Sequence, residues 1–579
     1  GRLMYIETVK NRKSPPAILL RESFRDGNKI KKKTLANLTA LPSRAIELLK
    51  LELKNPSDGK SVVAAEDLFT EVSSVAIGHV KACLHAFKAS GLEKIVAPGN
   101  SKNEKIITIL IITRLLGLQS KLSTSNALLE GSGMSAILEL LDLKSITADD
   151  CYSAMDWLYE RQDRIQQKLA NKHLKNDCAV LTDLSSSYYY GESCPLAQYG
   201  YSRDKKKGLP QINYSLMCSE DGTPVGIKVF PGNTIDSKAF PEVLKDALEY
   251  CEEKEITVVG DRGTITGKGI GEHLRKNKNL HWITALKHAS IKCLLENSHI
   301  QLSLFGEDNI FDLTDIKGYK GEKLVVCRNE ELARKTNAVR DELIELTKGL
   351  LIKYQDSLTK KKKPIKPESI PLKVGKLIDK KKMSKYFDLN FSATNFTWAI
   401  KEEKLSIDKE ISGIYVLRTD KIKMENKKVV RTYKQLCDVE KDFRAFKSTE
   451  INIRPIFHYT EERVKTHIFI CMLTCYVERY MKVCWTDLTF RDTESDKSNP
   501  LKFIRTEDAI KKENTKENSK GENVMAFRDI LKNLAGVHKV TFEYNKIAIV
   551  KYTYKSELQR KALELIGLNN FLYPAKTTQ

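Results

Sequence analysis

Apolar residues follow two different periods along the first part of the chain. Up to about residue 40 they alternate with polar residues around the turn RDGN, which predicts a small basic β-hairpin unit within residues 1–60. Over residues 61–175 they recur every three or four positions, as in KIITILIITRLLGLQSK, which predicts a helical domain. The pattern leaves open whether this domain binds DNA or only packs against the rest of the chain.

A third pattern begins at Asp177. Apolar runs in VLTDLSSSYY, GLPQINYSLMCS and PVGIKVFPG predict three strands, the last two joined by the Asp-Gly turn of EDGT. The amphipathic segment DSKAFPEVLKDALEYCEEKE predicts a helix, and ITVVGD predicts a fourth strand that ends in an acid. This order matches the ribonuclease H-like fold and predicts the first part of such a core over residues 176–300.

Two aspartates stand at the ends of strands in this segment. Asp183 follows the apolar run of the first strand, and Asp261 ends the fourth. In the predicted fold these strands are neighbours, so the two carboxylates would meet and repel unless a cation lay between them. Mg²⁺ suits this arrangement because it prefers hard oxygen ligands and uses few carboxylates together with phosphate oxygens. For either acid alone, a turn or capping role is the ordinary alternative.

The glycine-rich stretch that contains Asp261, ITVVGDRGTITGKGIGEHL, superficially matches a phosphate-binding loop. A P-loop needs Gly, four residues, Gly, Lys and then Ser or Thr, but here Lys268 is followed by Gly269. Gly267, Gly269 and Gly271 are spaced GxGxG, so the dinucleotide pattern GxGxxG fails as well. The stretch therefore favours an acid site over a nucleotide site.

A later helix supplies a candidate third acid. In YKQLCDVEKDFRAFK, the residues Tyr433, Glu440 and Lys447 are seven positions apart, which places them on one helix face. Such a face can present a metal ligand and phosphate contacts together, whereas an ordinary charged surface is the alternative for this helix alone. The face borders a predicted buried stripe of apolar residues: Leu436, Val439, Phe443 and Phe446.

The charge of the chain indicates the class of its partner. With 97 Lys and Arg against 75 Asp and Glu, the formal net charge is +22. This excess favours a polyanion, since neutralised phosphates supply much of nucleic-acid affinity, and basic runs recur in KIKKK, RDKKKG, KKKKPIK and KLIDKKKMSK. A basic but inert surface is the alternative. The apolar stretches are too short to cross a bilayer, so no membrane partner is expected.

Three segments resemble the DDE transposases of bacterial insertion sequences, of the insertion-sequence-four type: VLTDLSSSYY, VVGDRG and YKQLCDVEKDFRAFKSTEINIRPIFHYTEERVKTHIFI. That family has a helix signature of Tyr, two residues, Arg, three residues, Glu, six residues and Lys. The chain matches the signature at Tyr433, Glu440 and Lys447 and departs from it at Leu436, where the family commonly has Arg. The similarity covers most of the chain, and the segment from MYIETV to LANL resembles a subgroup with a basic hairpin.

The resemblance implies phosphoryl transfer on DNA with two Mg²⁺ ions, which Mn²⁺ can replace. Asp183 would bridge the two ions, and Asp261 and Glu440 would be their outer ligands. Tyr433 and Lys447 would position a phosphate near the scissile bond.

Further DNA contacts are implied outside the signature. Arg454, His458 and Arg463, in RPIFHYTEER, are candidates for contacts with the DNA backbone, and a structural polar role is an equal alternative. Trp398 is a candidate for stacking on a flipped base, although a core aromatic role is more common.

The resemblance also implies the remaining architecture and the partners. A mostly β insertion domain would occupy residues 301–425, the second part of the core 426–495, and a C-terminal region with a suggested role in dimerisation 496–579. The expected fold class is therefore α/β multidomain, with a ribonuclease H-like core interrupted by this insertion and preceded by the hairpin unit and the helical domain. The expected partners are double-stranded DNA, as terminal inverted repeats and target, and a second copy in a synaptic homodimer at the bacterial nucleoid.

The activity implied by the family is cut-and-paste transposition through a hairpin intermediate. A nuclease of the same fold that does not join DNA ends would carry the same catalytic residues. A non-catalytic DNA-binding protein descended from a transposase is the other alternative, and the three intact acids argue against it.

Overall fold

The chain forms two compact units in a computed structural model, the first from residues 1–77 and 536–555 and the second from residues 78–535 and 556–579. The structure describes residues 3–11, 15–27, 29–54, 71–118, 120–129, 133–206, 208–251, 254–360, 368–448, 451–490, 506–544, 547–553 and 555–572.

The first unit begins with a three-stranded antiparallel sheet in the order β1-β2-β3, followed by helix α1. Its elements are β1 (Leu3–Val9), β2 (Ala17–Asp26), β3 (Lys29–Asn37) and α1 (Ser43–Lys54). The hairpin predicted around RDGN is the β2–β3 pair, and Gly27 provides the left-handed backbone conformation of its turn, with φ of 61°.

A second sheet of this unit joins distant parts of the chain. It has the order β16-β15-β4, with β4 (Glu71–Ala76), β15 (His538–Tyr544) and β16 (Ile547–Tyr552) all antiparallel. The helix predicted across residues 71–76 is wrong, because EVSSVA pairs with β15 instead of continuing the helical pattern. The preceding residues of that prediction, 61–70, lie outside the described ranges.

The second unit is built on a mixed eight-stranded sheet in the order β10-β11-β14-β9-β8-β5-β6-β7. The neighbours β5, β8 and β9 are parallel, and the remaining pairs are antiparallel. The strands of this unit are β5 (Cys178–Tyr188), β6 (Gln211–Ser219), β7 (Pro224–Pro231), β8 (Ile256–Val259), β9 (Leu280–Ala285), β10 (Ile310–Leu313), β11 (Lys323–Arg328), β12 (Phe387–Phe391), β13 (Phe396–Ile400) and β14 (Ile414–Thr419). The four strands predicted between residues 176 and 261 are all present.

Helices cover this sheet, which explains why β6 and β8 are buried along their whole length. The helices of the second unit are α2 (Gly78–Ala89), α3 (Glu93–Val96), α4 (Lys102–Leu115), α5 (Lys121–Ala127), α6 (Ala136–Leu140), α7 (Ala148–Tyr159), α8 (Gln162–His173), α9 (Asp236–Cys251), α10 (Gly267–Gly269), α11 (His288–Glu296), α12 (Glu330–Thr359), α13 (Ser369–Asp379), α14 (Glu402–Ile411), α15 (Asn426–Lys434), α16 (Leu436–Lys447), α17 (Glu461–Cys484), α18 (Glu507–Thr515), α19 (Phe527–Ala535), α20 (Glu557–Leu565) and α21 (Asn569–Leu572). Helices α4 and α7 pack on α17, and α8 packs on β7, so the predicted helical domain shares one compact unit with the sheet.

The segment predicted as a mostly β insertion, residues 301–425, differs from that prediction. Strands β10, β11 and β14 extend the large sheet, while α12, α13, the β12–β13 hairpin and α14 lie between β11 and β14. The apolar residues of α12 recur at helical spacing and bury against α13 and the hairpin. This separate core includes Ile344, Leu351, Tyr354, Ile370 and Phe396.

Among the helices within the described ranges, none combines the length and apolar character that a bilayer-spanning segment requires.

Candidate active site

Asp183 and Asp261 lie at equivalent places on two adjacent parallel strands. The last paired residues of β5 and β8 are Leu181 and Val259, and each aspartate follows two positions later. The Leu184 N–H donates a hydrogen bond of 2.8 Å to Asp183 Oδ1. The end of the parallel β5–β8 pairing therefore brings together two carboxylates that are far apart in the sequence, although β5 itself does not end at Asp183 as predicted but continues to Tyr188.

The environment of Asp183 disfavours its charge. Burial raises the pKa of Asp183 to about 7, and the carboxylates of Asp261 and Asp236 act in the same direction. The hydrogen bond from Leu184 and the charge of Arg203 oppose this effect. Asp183 is thus a carboxyl group whose ionised form a nearby cation would stabilise.

Asp261 is fixed by the turn that follows β8. Its Oδ1 accepts hydrogen bonds from the N–H groups of Gly263, at 3.0 Å, and Thr264, at 2.7 Å. A Cβ atom at Gly263 would lie 3.4 Å from the Asp261 oxygens and 3.5 Å from Asp236 Oδ2. The carboxylates of Asp261 and Asp236 therefore border the same small volume beside Gly263.

Asp236 was not predicted as a site residue. It stands in the first turn of α9, where an acid is ordinarily explained by the helix dipole, so DSKAF contained only the signal of a helix start. In the structure it accepts a short hydrogen bond from the Arg203 guanidinium. We refer to Asp183, Asp236 and Asp261 as the acid centre.

Glu440 is placed by the helix that packs on β5. In α16 the side chains of Val439, Phe443 and Phe446 are buried as predicted, and Glu440 is exposed. The predicted single helix is divided, because α15 ends at Lys434 and α16 begins at Leu436. Glu440 and Lys447 therefore share α16, whereas the Tyr433 of the signature lies on α15.

Tyr433 links Glu440 electrostatically to the acid centre. Burial raises the pKa of Tyr433 to about 12, and the carboxylates of Asp261 and Glu440 act in the same direction. The phenol group therefore lies within electrostatic reach of both acids.

The acid centre has the ligand chemistry of a Mg²⁺ site but not a complete ligand cage. Within the part of the chain that the structure describes, no three His, Cys, Asp or Glu side chains converge closely enough to hold a metal ion. Mg²⁺ is commonly held by only one or two carboxylates together with water and substrate phosphates. Asp183, with its raised pKa, and Asp261 on the adjacent strand fit such an ion.

Lys447 and Arg454 form the basic side of the site, and we call them the cation pair. Both contact Asp204, with Lys447 Nζ 3.0 Å from Oδ1 and Arg454 Nη1 2.8 Å from Oδ2. The guanidinium of Arg454 also lies over the ring of Tyr188, 4.7 Å from its centroid. Asp204 and the adjacent Arg203 were visible in the sequence only as part of the basic run RDKKKG.

Two other predicted DNA contacts have structural partners. The ring of His458 is buried, lies near the rings of Tyr152 and His467, and has its pKa lowered to about 2 by burial. Arg463 donates two hydrogen bonds of 2.9 Å to the Asp156 carboxylate and lies over the Tyr152 ring. These contacts favour the structural alternative for both residues.

Trp398 lies in the β12–β13 hairpin of the insertion. Its ring packs edge-on to Phe387 against the insertion core, and its Nε1–H donates a hydrogen bond of 3.3 Å to Gln355. This environment favours a core aromatic role.

Two protein-family models match the sequence. Residues 176–477 match the transposase DDE domain, and residues 6–64 match the N-terminal domain of the IS1634 family of transposases. No curated protein matches the chain significantly. Among solved structures, a piggyBac transposase synaptic complex with hairpin DNA is similar at 10% identity and a TM-score of 0.33, over 81% of this chain and 78% of that one. Because the DDE-domain match spans more than half of the sequence, the chain belongs to the DDE transposases of bacterial insertion sequences, as its motifs predicted.

Proposed function

We propose that this transposase cuts and rejoins DNA at the ends of its insertion sequence by metal-dependent phosphoryl transfer, with Asp183, Asp261 and Glu440 as the metal ligands. The observation that carries the proposal is the equivalent placement of Asp183 and Asp261, each two residues beyond the last pair of the parallel β5–β8 ladder. The raised pKa of Asp183 supports it, because a buried carboxyl group beside other carboxylates is suited to a cation.

We also propose that the sheet from β7 to β9 is a ribonuclease H-like core. The order β7-β6-β5-β8-β9, with β6 antiparallel to both its neighbours and β8 and β9 parallel to β5, supports this assignment. Helix α16, which carries Glu440, packs on β5, and this supports the proposal that Glu440 belongs to the same site as the two aspartates.

The residues of the site have separate roles in the proposed reaction. A bound divalent ion supplies Lewis-acid activation of water or of a DNA 3′-hydroxyl and stabilises the leaving oxygen. Asp183 and Asp261 hold their carboxylates in fixed positions through backbone hydrogen bonds, and Glu440 adds a third carboxylate from α16. Lys447 and Arg454 bind the phosphate backbone beside the scissile bond.

The proposal also includes the sequence of steps in transposition. Cut-and-paste movement, a hairpin at the transposon end and a synaptic homodimer rest on the family resemblance. Leu436 replaces the Arg of the family signature, so hairpin formation is the step that needs direct measurement in this protein.

Cleavage of a labelled duplex that carries the end of the element tests the site. Asp183→Asn, Asp261→Asn and Glu440→Gln should each lower the Mg²⁺- or Mn²⁺-dependent cleavage rate by more than about a thousand-fold, the scale on which one lost electrostatic stabiliser acts. DNA binding should be retained. Asp388→Asn is a matched control, because Asp388 is an exposed strand carboxylate 3.8 Å from Lys401.

The outcomes separate the alternatives. Cleavage followed by joining of the cut end to target DNA supports a transposase, and cleavage without joining supports a nuclease of the same fold. If the three acid variants cleave like Asp388→Asn, the catalytic assignment is wrong. If the unsubstituted protein binds the duplex without cleaving it, a non-catalytic DNA-binding role replaces the proposal.

A further inference from the structure

Asp204 is the only acidic partner that the described residues give to the cation pair at hydrogen-bonding distance. Its side chain is 6% exposed, and those of Lys447 and Arg454 are 18% and 19% exposed. The carboxylate is further approached by the Tyr188 N–H at 3.4 Å. Asp204 is thus a nearly buried anion held between two cations.

The cation pair needs an anion in this position. Burial lowers the pKa of Lys447, and Asp204 acts in the opposite direction while Arg454 adds to the lowering. Arg454 Nη2 donates a hydrogen bond of 3.0 Å to the Lys447 carbonyl, which holds the two residues together. Two adjacent and partly desolvated cations repel each other unless a negative charge lies between them.

The distances match those of a phosphate contact. Charge-assisted N⁺–H···O⁻ bonds to carboxylates and to phosphates have similar lengths, near the 2.8 and 3.0 Å found here. A phosphate oxygen could therefore replace either Asp204 oxygen without a change in the positions of the cations.

The segment that carries Asp204 connects β5 to β6. Besides the contacts of Asp204, it is anchored by a hydrogen bond from the Arg203 N–H to Ser186 Oγ, at 3.1 Å, and by the ion pair of the Arg203 side chain with Asp236, whereas the bond from the Lys206 N–H to Ser202 Oγ, at 3.2 Å, lies within the segment. Lys205 and Lys206, directly after Asp204, are exposed. Release of Asp204 from the cation pair would therefore leave two exposed cations directly after it in the chain.

We propose that Asp204 is a positioning residue that occupies the place of a DNA phosphate: it holds Lys447 and Arg454 in the DNA-free protein and is displaced by a phosphate when DNA binds. The inference rests on the proposed function, because it assigns the cation pair to the DNA backbone. Asp204 is then an internal anion that competes with DNA phosphate and lowers DNA affinity, while it keeps the two cations in their binding positions.

Binding of a fluorescein-labelled duplex that carries the element end, measured in EDTA, tests the exchange. Asp204→Asn keeps the shape of the side chain and removes its charge, so it should tighten binding at least about five-fold, as expected for the loss of one competing ion pair. The slope of log K against log[salt] should become steeper by up to about 0.9, the value for one phosphate contact. Melting temperature checks that the variant is folded.

A matched control separates this effect from a change in total charge. Asp246→Asn removes a carboxylate that pairs with Lys228 at 2.9 Å, so it alters the net charge equally. It should change the affinity by less than about two-fold. In a Lys447→Met and Arg454→Gln background, Asp204→Asn should give no gain, because the cations through which it acts are absent.

The unsubstituted protein provides a second measurement. Duplex binding should increase amide hydrogen exchange in the segment around residues 201–206 as Asp204 is released. Unchanged or increased protection of that segment, or weaker binding by a folded Asp204→Asn, overturns the inference. Failure of the unsubstituted protein to bind duplex DNA would instead overturn the proposed function, so the two failures are distinguishable.

Discussion

The acid centre and the cation pair are supported in opposite ways. The acid centre lies where the parallel pairing of β5 and β8 ends and at a helix start, two of its carboxylates are held by backbone N–H groups, and Arg203 is a neighbouring cation. The cation pair lies at the end of a helix and in the following loop, and Asp204 is its anion. The acid centre is thus left with an excess of negative charge, whereas the cation pair retains an excess of positive charge although Asp204 already occupies the space between its two cations. The acid centre can therefore gain a cation, while a phosphate would have to replace Asp204 to lie between Lys447 and Arg454.

The largest effect on stability is expected when both cations that pair with Asp204 are removed. Lys447→Met combined with Arg454→Gln leaves Asp204 nearly buried without its cations, which should cost about 2–4 kcal/mol of stability. Adding Asp204→Asn should restore most of this loss. Thermal melting measures both steps, and a triple variant that melts no higher than the double variant would show that the charges are not coupled.

A smaller and pH-dependent effect is expected at the acid centre. The folded-state pKa of Asp183, about 7, lies above the usual value near 3.9, so the folded protein retains a proton that the unfolded chain has lost. The resulting stabilisation is present at low pH and is lost as pH rises through about 7. Asp183→Asn should therefore gain about 1–3 kcal/mol relative to the unsubstituted protein between about pH 5 and pH 8.

The control for this pH effect is Asp388→Asn, whose melting temperature should follow that of the unsubstituted protein across the same range. A difference between Asp183→Asn and the unsubstituted protein that does not vary with pH would contradict the buried, proton-binding state of Asp183.

Gly263→Ala tests whether a Mg²⁺ ion binds at the acid centre, and its expected effect is smaller than that of Asp183→Asn. The added methyl group would make ordinary contacts, 3.4 Å from Asp261 and 3.5 Å from Asp236, so the fold should be retained. Because it occupies space beside both carboxylates, Mg²⁺ affinity should fall about ten-fold, as for changes next to metal ligands. The Mg²⁺ dependence of the melting temperature measures this, and an unchanged dependence would place the ion elsewhere.

The smallest effect is expected at Arg463, a cation with a fixed partner of its own. Since its guanidinium pairs with Asp156 and lies over Tyr152, Arg463→Gln should change duplex affinity by less than about three-fold. A ten-fold loss in the same binding assay would mean that Arg463, like the cation pair, exchanges its partner for DNA.

The sequence predicted the parts of the site that local pattern determines. Apolar runs located the strands that carry Asp183 and Asp261, and the expected fold predicted that these two strands are neighbours, as they are in the structure. The three- and four-residue spacing on α16 identified Val439 and Phe446 as buried, which placed Glu440 on the exposed face.

The remaining features depend on pairing between distant segments. In the sequence, Asp204 is part of a basic run. Only the packing of α16 on β5 shows that Asp204 contacts the cation pair. Strands β11 and β14 lie in the segment predicted as a mostly β insertion, but their addition to the large sheet is a choice of edge partner that strand pattern does not encode. The pairing of β4 with β15 was missed because residues 71–76 were predicted as part of a helix.

Arg203 and Asp204 are consecutive residues, and this has a consequence for the timing of the reaction. Arg203 bonds to Asp236 in the acid centre, and Asp204 bonds to the cation pair, so one short piece of backbone serves both. If an arriving duplex displaces Asp204, the same movement loosens Arg203 and leaves the carboxylates more receptive to a metal ion. By reciprocity, a bound metal ion would favour the duplex. A DNA-cutting enzyme with this coupling would bind its metal ion weakly while it searches for its DNA site. It would become catalytically competent only when the substrate is bound.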